Sequence, residues 1–328
     1  LRAAQTGIAS IRRQEPERAR SRCAYAAHVR TRDRLDLLAL AALWGASFLF
    51  MRYAAPAFGP FALVLVRVAI AAAFLLLLLF ANGAWPALRA HAAPVFAVGV
   101  LNSAIPFVLL TYAVLSLTAG FASILNATTP LATALIGRLW LGDRIRPLQW
   151  LGLALGIAGV TVLVWGKVDF RPGATHWQST LAIGAALAGA TAYGAGANFT
   201  KKHLAGVAPL AVATGSQLGA TIAVLPFAVL FWPETRPDAR AWVATTLLAV
   251  ACTGLAYLLY FRLIARVGAM RAAAVTFLIP VFATLWGAAF LGEALTLQMV
   301  GGGGVILAGT ALALGMVGSS RLADTKPG

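Results

Sequence analysis

The side chains able to do chemistry in this chain are few, and they are set in apolar sequence. Arg67 stands about seven residues inside an apolar run that begins after Pro60. A guanidinium at that depth is costly in hydrocarbon, so it either holds a carboxylate or other anionic group of a solute, or it snorkels and bonds to nearby carbonyls. Asn102 and Asn126 each precede a proline by four residues, Pro106 and Pro130, whose missing N–H frees a backbone carbonyl beside the amide. Trp44, Tyr193, Tyr257 and Tyr260 supply amphipathic rings, Asn198 follows the Gly194 and Gly196 break, and Gln217 is a polar residue in an apolar run. These nine are the candidate substrate-binding residues, with Ser47, Tyr112, Thr129 and Thr276 behind them, and Pro106, Pro130 and Pro280 are candidate hinges. Each polar member has a second reading as an interhelical hydrogen-bond partner or interface aromatic.

Other chemistries find no residues to carry them. His28, His91, His176 and His203 lie in the leader or in loops, so no Ser-His pair or His-rich metal site forms at membrane depth. Cys23 and Cys252 give neither a disulfide framework nor a metal-ligand spacing. No catalytic residue, metal or cofactor is expected. Asp36, Asp143 and Glu293 sit at the ends of apolar runs, and none of those runs holds an acid in its middle. A proton/cation antiport through a buried carboxylate is therefore disfavoured, and neutral or zwitterionic solutes are favoured.

These residues must be positioned by membrane helices. The 328 residues are 60% hydrophobic and 11% charged, against roughly half and a quarter in a soluble domain. About 20 apolar residues cross a bilayer core, and runs of that length fall at 36–54, 60–81, 93–115, 119–140, 147–166, 177–200, 207–232, 241–262, 269–291 and 296–317. Turn or charge signals separate them, among them Gly59-Pro60, Asn82-Gly83, Gly142-Asp143, Arg171-Pro172-Gly173 and Gly292-Glu293. The expected fold class is an all-α integral membrane protein of ten transmembrane helices.

The net charge of +16 does not indicate nucleic acid, because nine of the 26 Lys and Arg residues precede position 35 and most others lie in short gaps between runs. With both termini cytoplasmic, twenty fall inside and five outside, the bias expected of a multi-pass protein of the plasma (inner) membrane. The Arg-rich leader, 1–34, lacks the apolar centre and small-residue cleavage site of a signal peptide and is expected to be disordered. It either attracts anionic headgroups or is a dispensable extension.

Shifting the chain by 150 residues lays Pro130, Leu135, Gly137, Leu141, Gly142 and Asp143 on Pro280, Leu285, Gly287, Leu291, Gly292 and Glu293. Arg67 then meets Gln217, and a shift of 149 places Trp44-Gly45 on Tyr193-Gly194 and Arg52 on Lys201. Each half, 35–166 and 177–318, holds five runs, an odd number, so the second enters the membrane upside down before a short tail at 319–328. Inverted repeats of this kind let one half rock against the other around a midplane site.

In Trp44-Gly45-Ala46-Ser47-Phe48, Arg67, the segment from Pro130 to Asp143 and its echo from Pro280 to Glu293, the chain resembles the EamA type of the drug/metabolite transporter superfamily. The resemblance implies a cavity lined by the first four helices of each half, with the fifth and tenth to one side. The motifs say little about substrate; the leading expectation is a secondary transporter that exports small metabolites such as amino acids or drug-like compounds. A coupling ion is left open as a partner beside the solute and the bilayer. Import, or a nucleotide-sugar or phosphate carrier of the same superfamily, is the alternative within transporters. Outside them stand a lipid-modifying membrane enzyme, which would want paired acids and histidines at one face, and a scaffold with a dry core.

Overall fold

The computed structural model describes residues 31–165, 175–268, 272, 274–314 and 316. The leader to residue 30, the loop signal at Arg171-Pro172-Gly173 and the tail at 319–328 lie outside the described residues. All regular elements among the described residues are helical: α1 (Thr31–Ala81), the short α2 (Trp85–Ala90), α3 (Ala92–Ser116), α4 (Ala119–Leu141), α5 (Pro147–Trp165), α6 (His176–His203), α7 (Pro209–Leu230), α8 (Ala239–Val267), α9 (Val275–Leu291) and α10 (Leu297–Ala313). Seven are long and apolar enough to cross a membrane, and α9 and α10 are shorter apolar helices.

Two expectations change. The turn expected between the first two runs is a single residue, because α1 is broken only at Gly59 (φ 70°, ψ 168°), leaving limbs at 31–58 and 60–81. Glycine takes that positive φ without a Cβ clash, and Pro60 has no N–H to lose there. Residues 31–34, read as the end of a disordered leader, are the first turn of α1. Asp33 belongs near a helix N-terminus, where the macrodipole favours an anion, and Arg266 stands 3.6 Å from it.

Helix ends follow local chemistry. Side chains of Thr118, Asp238 and Thr296 accept from the backbone N–H of Phe121, Ala241 and Met299, and Thr175 with Gln178 forms a reciprocal capping box. Gly142 and Gly292, both left-handed, stop α4 and α9. Three π-turns widen the spiral among the described residues, at Val100–Ala104 in α3, Gly137–Leu141 in α4 and Val250–Leu255 in α8.

Without water to drive association, helices pack where small residues admit close approach. A Cβ on Gly45 would lie 2.8 Å from the backbone nitrogen of Ala283, and one on Gly194 would lie 2.8 Å from that of Thr133. Helices α5 and α10 pack chiefly on one another through Gly152, Gly156, Gly302 and Gly309, to one side of the bundle. They run antiparallel: Gln149, at the start of α5, donates to the carbonyl of Ala313 at the end of α10, while Gln298, at the start of α10, donates to Val162 and Leu163 at the end of α5.

Ion pairs stand at opposite ends of α4. The Arg52 Nε donates to Glu293 at 3.0 Å, and the other Glu293 oxygen accepts from the Ala119 N–H, at the first turn of α4. Past the far end, Lys201 donates to Asp143 at 2.7 Å. On that face the start of α1 is tied to the end of α8 by Arg262 to Asp36 at 2.6 Å. The two pairs differ in environment, with side chains 11% and 9% exposed for Arg52 and Glu293 against 61% and 46% for Lys201 and Asp143.

Breaking a buried pair leaves an unmatched charge and costs about 3–5 kcal/mol, whereas an exposed pair contributes about 0–1 kcal/mol. Thermal unfolding in detergent should therefore show a large loss for Arg52→Ala and little change for Lys201→Ala; equal losses would contradict the burial difference. In the α5/α10 seam a Cβ on Gly309 would lie 2.5 Å from the Gly156 nitrogen. Gly309→Leu should destabilise by about 1–3 kcal/mol or more through overpacking, while Gly304→Leu, where no atom lies within 4 Å of an added Cβ, should unfold like the parent.

Candidate functional site

A cavity of about 270 Å³ opens between both limbs of α1 and helices α3, α4, α6, α8 and α9. Seven of the nine candidate residues line it: Trp44, Arg67, Asn102, Asn126, Tyr193, Tyr257 and Tyr260. Ser47, Thr129 and Thr276 also reach it, whereas Tyr112 points elsewhere. Helix α7 contributes no lining residue, so the wall departs from four helices of each half.

The two remaining candidates are ties between helices. Asn198 is buried and its amide donates to the Thr133 carbonyl on α4 and to the Gly194 carbonyl one turn back, each at 2.9 Å. Gln217 is buried on α7 and donates to the Ser103 hydroxyl on α3 at 3.0 Å.

Arg67 is placed by the second limb of α1 and is 5% exposed. Its Nε donates to the Thr253 hydroxyl at 3.0 Å, and that hydroxyl spends its own proton on the Leu248 carbonyl at 2.9 Å. The π-turn of α8 makes this possible, because the wider spiral lets Thr253 reach a carbonyl five residues back. The guanidinium carbon stands over Phe107, 3.6 Å from the ring centroid, with the Met51 sulfur 3.8 Å from Nη1. This cation–π contact and the sulfur give Arg67 apolar neighbours and no counter-charge.

Around it, Asn102 rides on the π-turn of α3, and the Tyr257 hydroxyl sits within reach of Asn102, Ser103 and Gln217. Trp44 and Tyr260 form a tilted pair with centroids 5.2 Å apart, and Tyr193 meets Phe107 edge-on at 6.3 Å. Pro130 interrupts α4: the Asn126 carbonyl, which would have received the missing N–H, accepts from the Thr129 hydroxyl at 2.7 Å instead. Pro106 stands two residues past the end of the π-turn of α3, and Pro280 is carried inside α9, which continues past it as helix.

Met51, Phe107 and Thr253 escaped the sequence reading. The last is 150 residues from Ser103, as Arg67 is from Gln217, and the two bonds, Arg67 to Thr253 and Gln217 to Ser103, recur at that offset.

Comparison with known proteins agrees with this architecture. Residues 35–165 and 180–315 match the sequence model of the EamA-like transporter family. Similar proteins include an uncharacterized transporter of Archaeoglobus fulgidus, 24% identical over 81% of this chain and 92% of that protein. Another is the uncharacterized transporter YvbV of Bacillus subtilis, 28% identical over 83% and 88%. A third is the uncharacterized inner membrane transporter YedA of Escherichia coli, 27% identical over 79% and 83%. A crystal structure shares the fold, with a TM-score of 0.62 and 21% identity over 87% of this chain and 96% of that one. With both stretches of the chain accounted for, and membrane helices walling a central cavity, the protein is a membrane transporter belonging to the EamA-like family.

Proposed function

We propose that this protein is a secondary transporter that exports small metabolites, such as amino acids or drug-like compounds, by alternating access through ten spans in two inverted halves. The observation that carries the reading is the cavity, whose walls come from α1, α3 and α4 on one side and α6, α8 and α9 on the other. A site shared in this way changes its exposure whenever the halves rock.

Support for the inverted pairing comes from contacts that recur at the repeat offset. Gly45 against Ala283 answers to Gly194 against Thr133, Arg52 with Glu293 to Lys201 with Asp143, and Arg67 with Thr253 to Gln217 with Ser103. The antiparallel course of α5 and α10, the fifth and tenth spans, has the same sense. The face that carries Lys201, Lys202, Arg262 and Arg266 is the cytoplasmic one under the positive-inside bias, which puts both termini there. The inner membrane is the location in the name of the Escherichia coli relative.

A nucleotide-sugar or phosphate carrier fits less well. The cavity, about 270 Å³, lies just below the common range of about 300–1,000 Å³ for ligand pockets, and one cation lines it. A dry scaffold has no use for such a space.

The full chain reconstituted in vesicles and loaded with pooled metabolites should release some of them faster than protein-free vesicles, and Asn126→Trp, which fills the cavity, should return release to the protein-free rate. Uptake run in parallel reads the direction. Flux indifferent to the filled cavity, or no flux of any pooled compound, would sink the proposal; a C-terminal reporter found outside the cell would sink the ten-span topology.

A further inference from the structure

We propose that the solute is a monoanion with an apolar or aromatic body, its carboxylate seated on the Arg67 guanidinium. This narrows the small metabolites of the proposed function to acids without an ammonium group, away from zwitterionic amino acids, and rests on the transporter reading for its physiological meaning, although the binding preference itself stands without it.

The first ground is an unmatched charge. Arginine keeps its proton at any relevant pH, and Arg67 is buried. No aspartate or glutamate lines the cavity. The carboxylates of Asp33, Asp36, Asp143 and Glu293 face other cations. Arg67 has a hydroxyl, a sulfur and a ring in direct contact and Tyr193, Cys252 and Tyr257 nearby, none of them a carboxylate, so it lacks the counter-charge that a low-dielectric site demands.

The second ground is the repeat. Gln217 makes at its position the bond that Arg67 makes at its own, donating to Ser103 at 3.0 Å as Arg67 donates to Thr253 at 3.0 Å. A neutral amide therefore suffices for this tie between helices. The positive charge at position 67 is surplus to it, and the cavity wall is the place where the surplus is presented.

Geometry selects the kind of anion. Nε and Nη1 are engaged by Thr253 and Met51, and the guanidinium carbon sits over the Phe107 ring, while Nη2 has no bond to any described residue. An incoming acceptor meets the guanidinium along its edge, where a planar carboxylate is accepted most readily. One cation balances a single charge, so a phosphate dianion would be left half matched. Trp44 and Tyr260 offer ring surface for the rest of the solute, and the absence of a lining acid gives an ammonium group no ionic partner.

Binding of 3-phenylpropionate, its neutral amide 3-phenylpropanamide and the cation 3-phenylpropylamine to the purified full chain in detergent, read by intrinsic tryptophan fluorescence, separates the possibilities. The carboxylate should bind about tenfold or more tighter than the amide, the scale of a charge-assisted hydrogen bond, and the amine weakest. Arg67→Gln should bring carboxylate and amide to within about twofold while leaving the amide's affinity in place, and Arg67→Lys should keep part of the preference. Equal binding of carboxylate and amide to the parent, no binding of the carboxylate at millimolar concentration, or an Arg67→Gln protein that retains the preference would overturn the inference. So would displacement of the carboxylate by an equal concentration of sodium chloride, which would mark a site for inorganic anions. The parent's own selectivity decides the matter should Arg67→Gln not fold. Carboxylate preference in detergent without flux in vesicles would instead defeat the transporter reading alone.

Discussion

The hydrocarbon core of a bilayer offers no water to a free N–H or C=O, and this constraint orders the whole molecule. Backbone groups are satisfied inside helices, and helices then associate only as closely as their side chains allow. The contact positions are accordingly glycines: Gly45 and Gly194 admit a neighbouring backbone, and Gly152, Gly156 and Gly309 form the seam between α5 and α10. Where the helical ladder is interrupted, another group steps in. Thr129 takes the carbonyl released by Pro130, and Thr253 reaches back across the π-turn to Leu248.

Polar groups obey the same constraint and divide into two populations. Asn198 and Gln217 are consumed by helix–helix bonds, while Asn102, Asn126 and Tyr257 stand at the cavity. Arg67 belongs to both, since its Nε ties α1 to α8 while the residue also lines the cavity. Contacts that recur at an offset of about 150 residues thus need not be chemically alike: position 67 presents a cation at the cavity where position 217 presents an amide bonded to Ser103.

Much of this was legible in the sequence. Run length located the helices within a few residues, because apolar length is a direct demand of bilayer thickness, and Gly142 and Gly292 marked the ends of α4 and α9 where left-handed glycines stand. What could not be read was which way a side chain faces. Asn198 and Gln217 look as available as Asn102 and Asn126 in the sequence, and only the rotation of each helix against its neighbours separates the cavity face from the contact face. Met51, Phe107 and Thr253 carry no signal of their own, since a sulfur, a ring and a hydroxyl in an apolar run are ordinary; they matter through proximity to Arg67. At Gly59 the Pro and Gly signals pointed to a turn, and its reduction to a single residue depends on a φ that sequence does not state.

That single-residue corner has a mechanical meaning. The first limb of α1 carries Trp44, Ser47 and Met51 to the cavity, and the second carries Arg67. With one glycine between them, the limbs are joined through one pair of soft backbone torsions rather than a slack loop. The aromatic wall and the cationic wall therefore meet at one corner, and the φ and ψ of Gly59 set the angle between the limbs and with it the separation of Trp44 from Arg67.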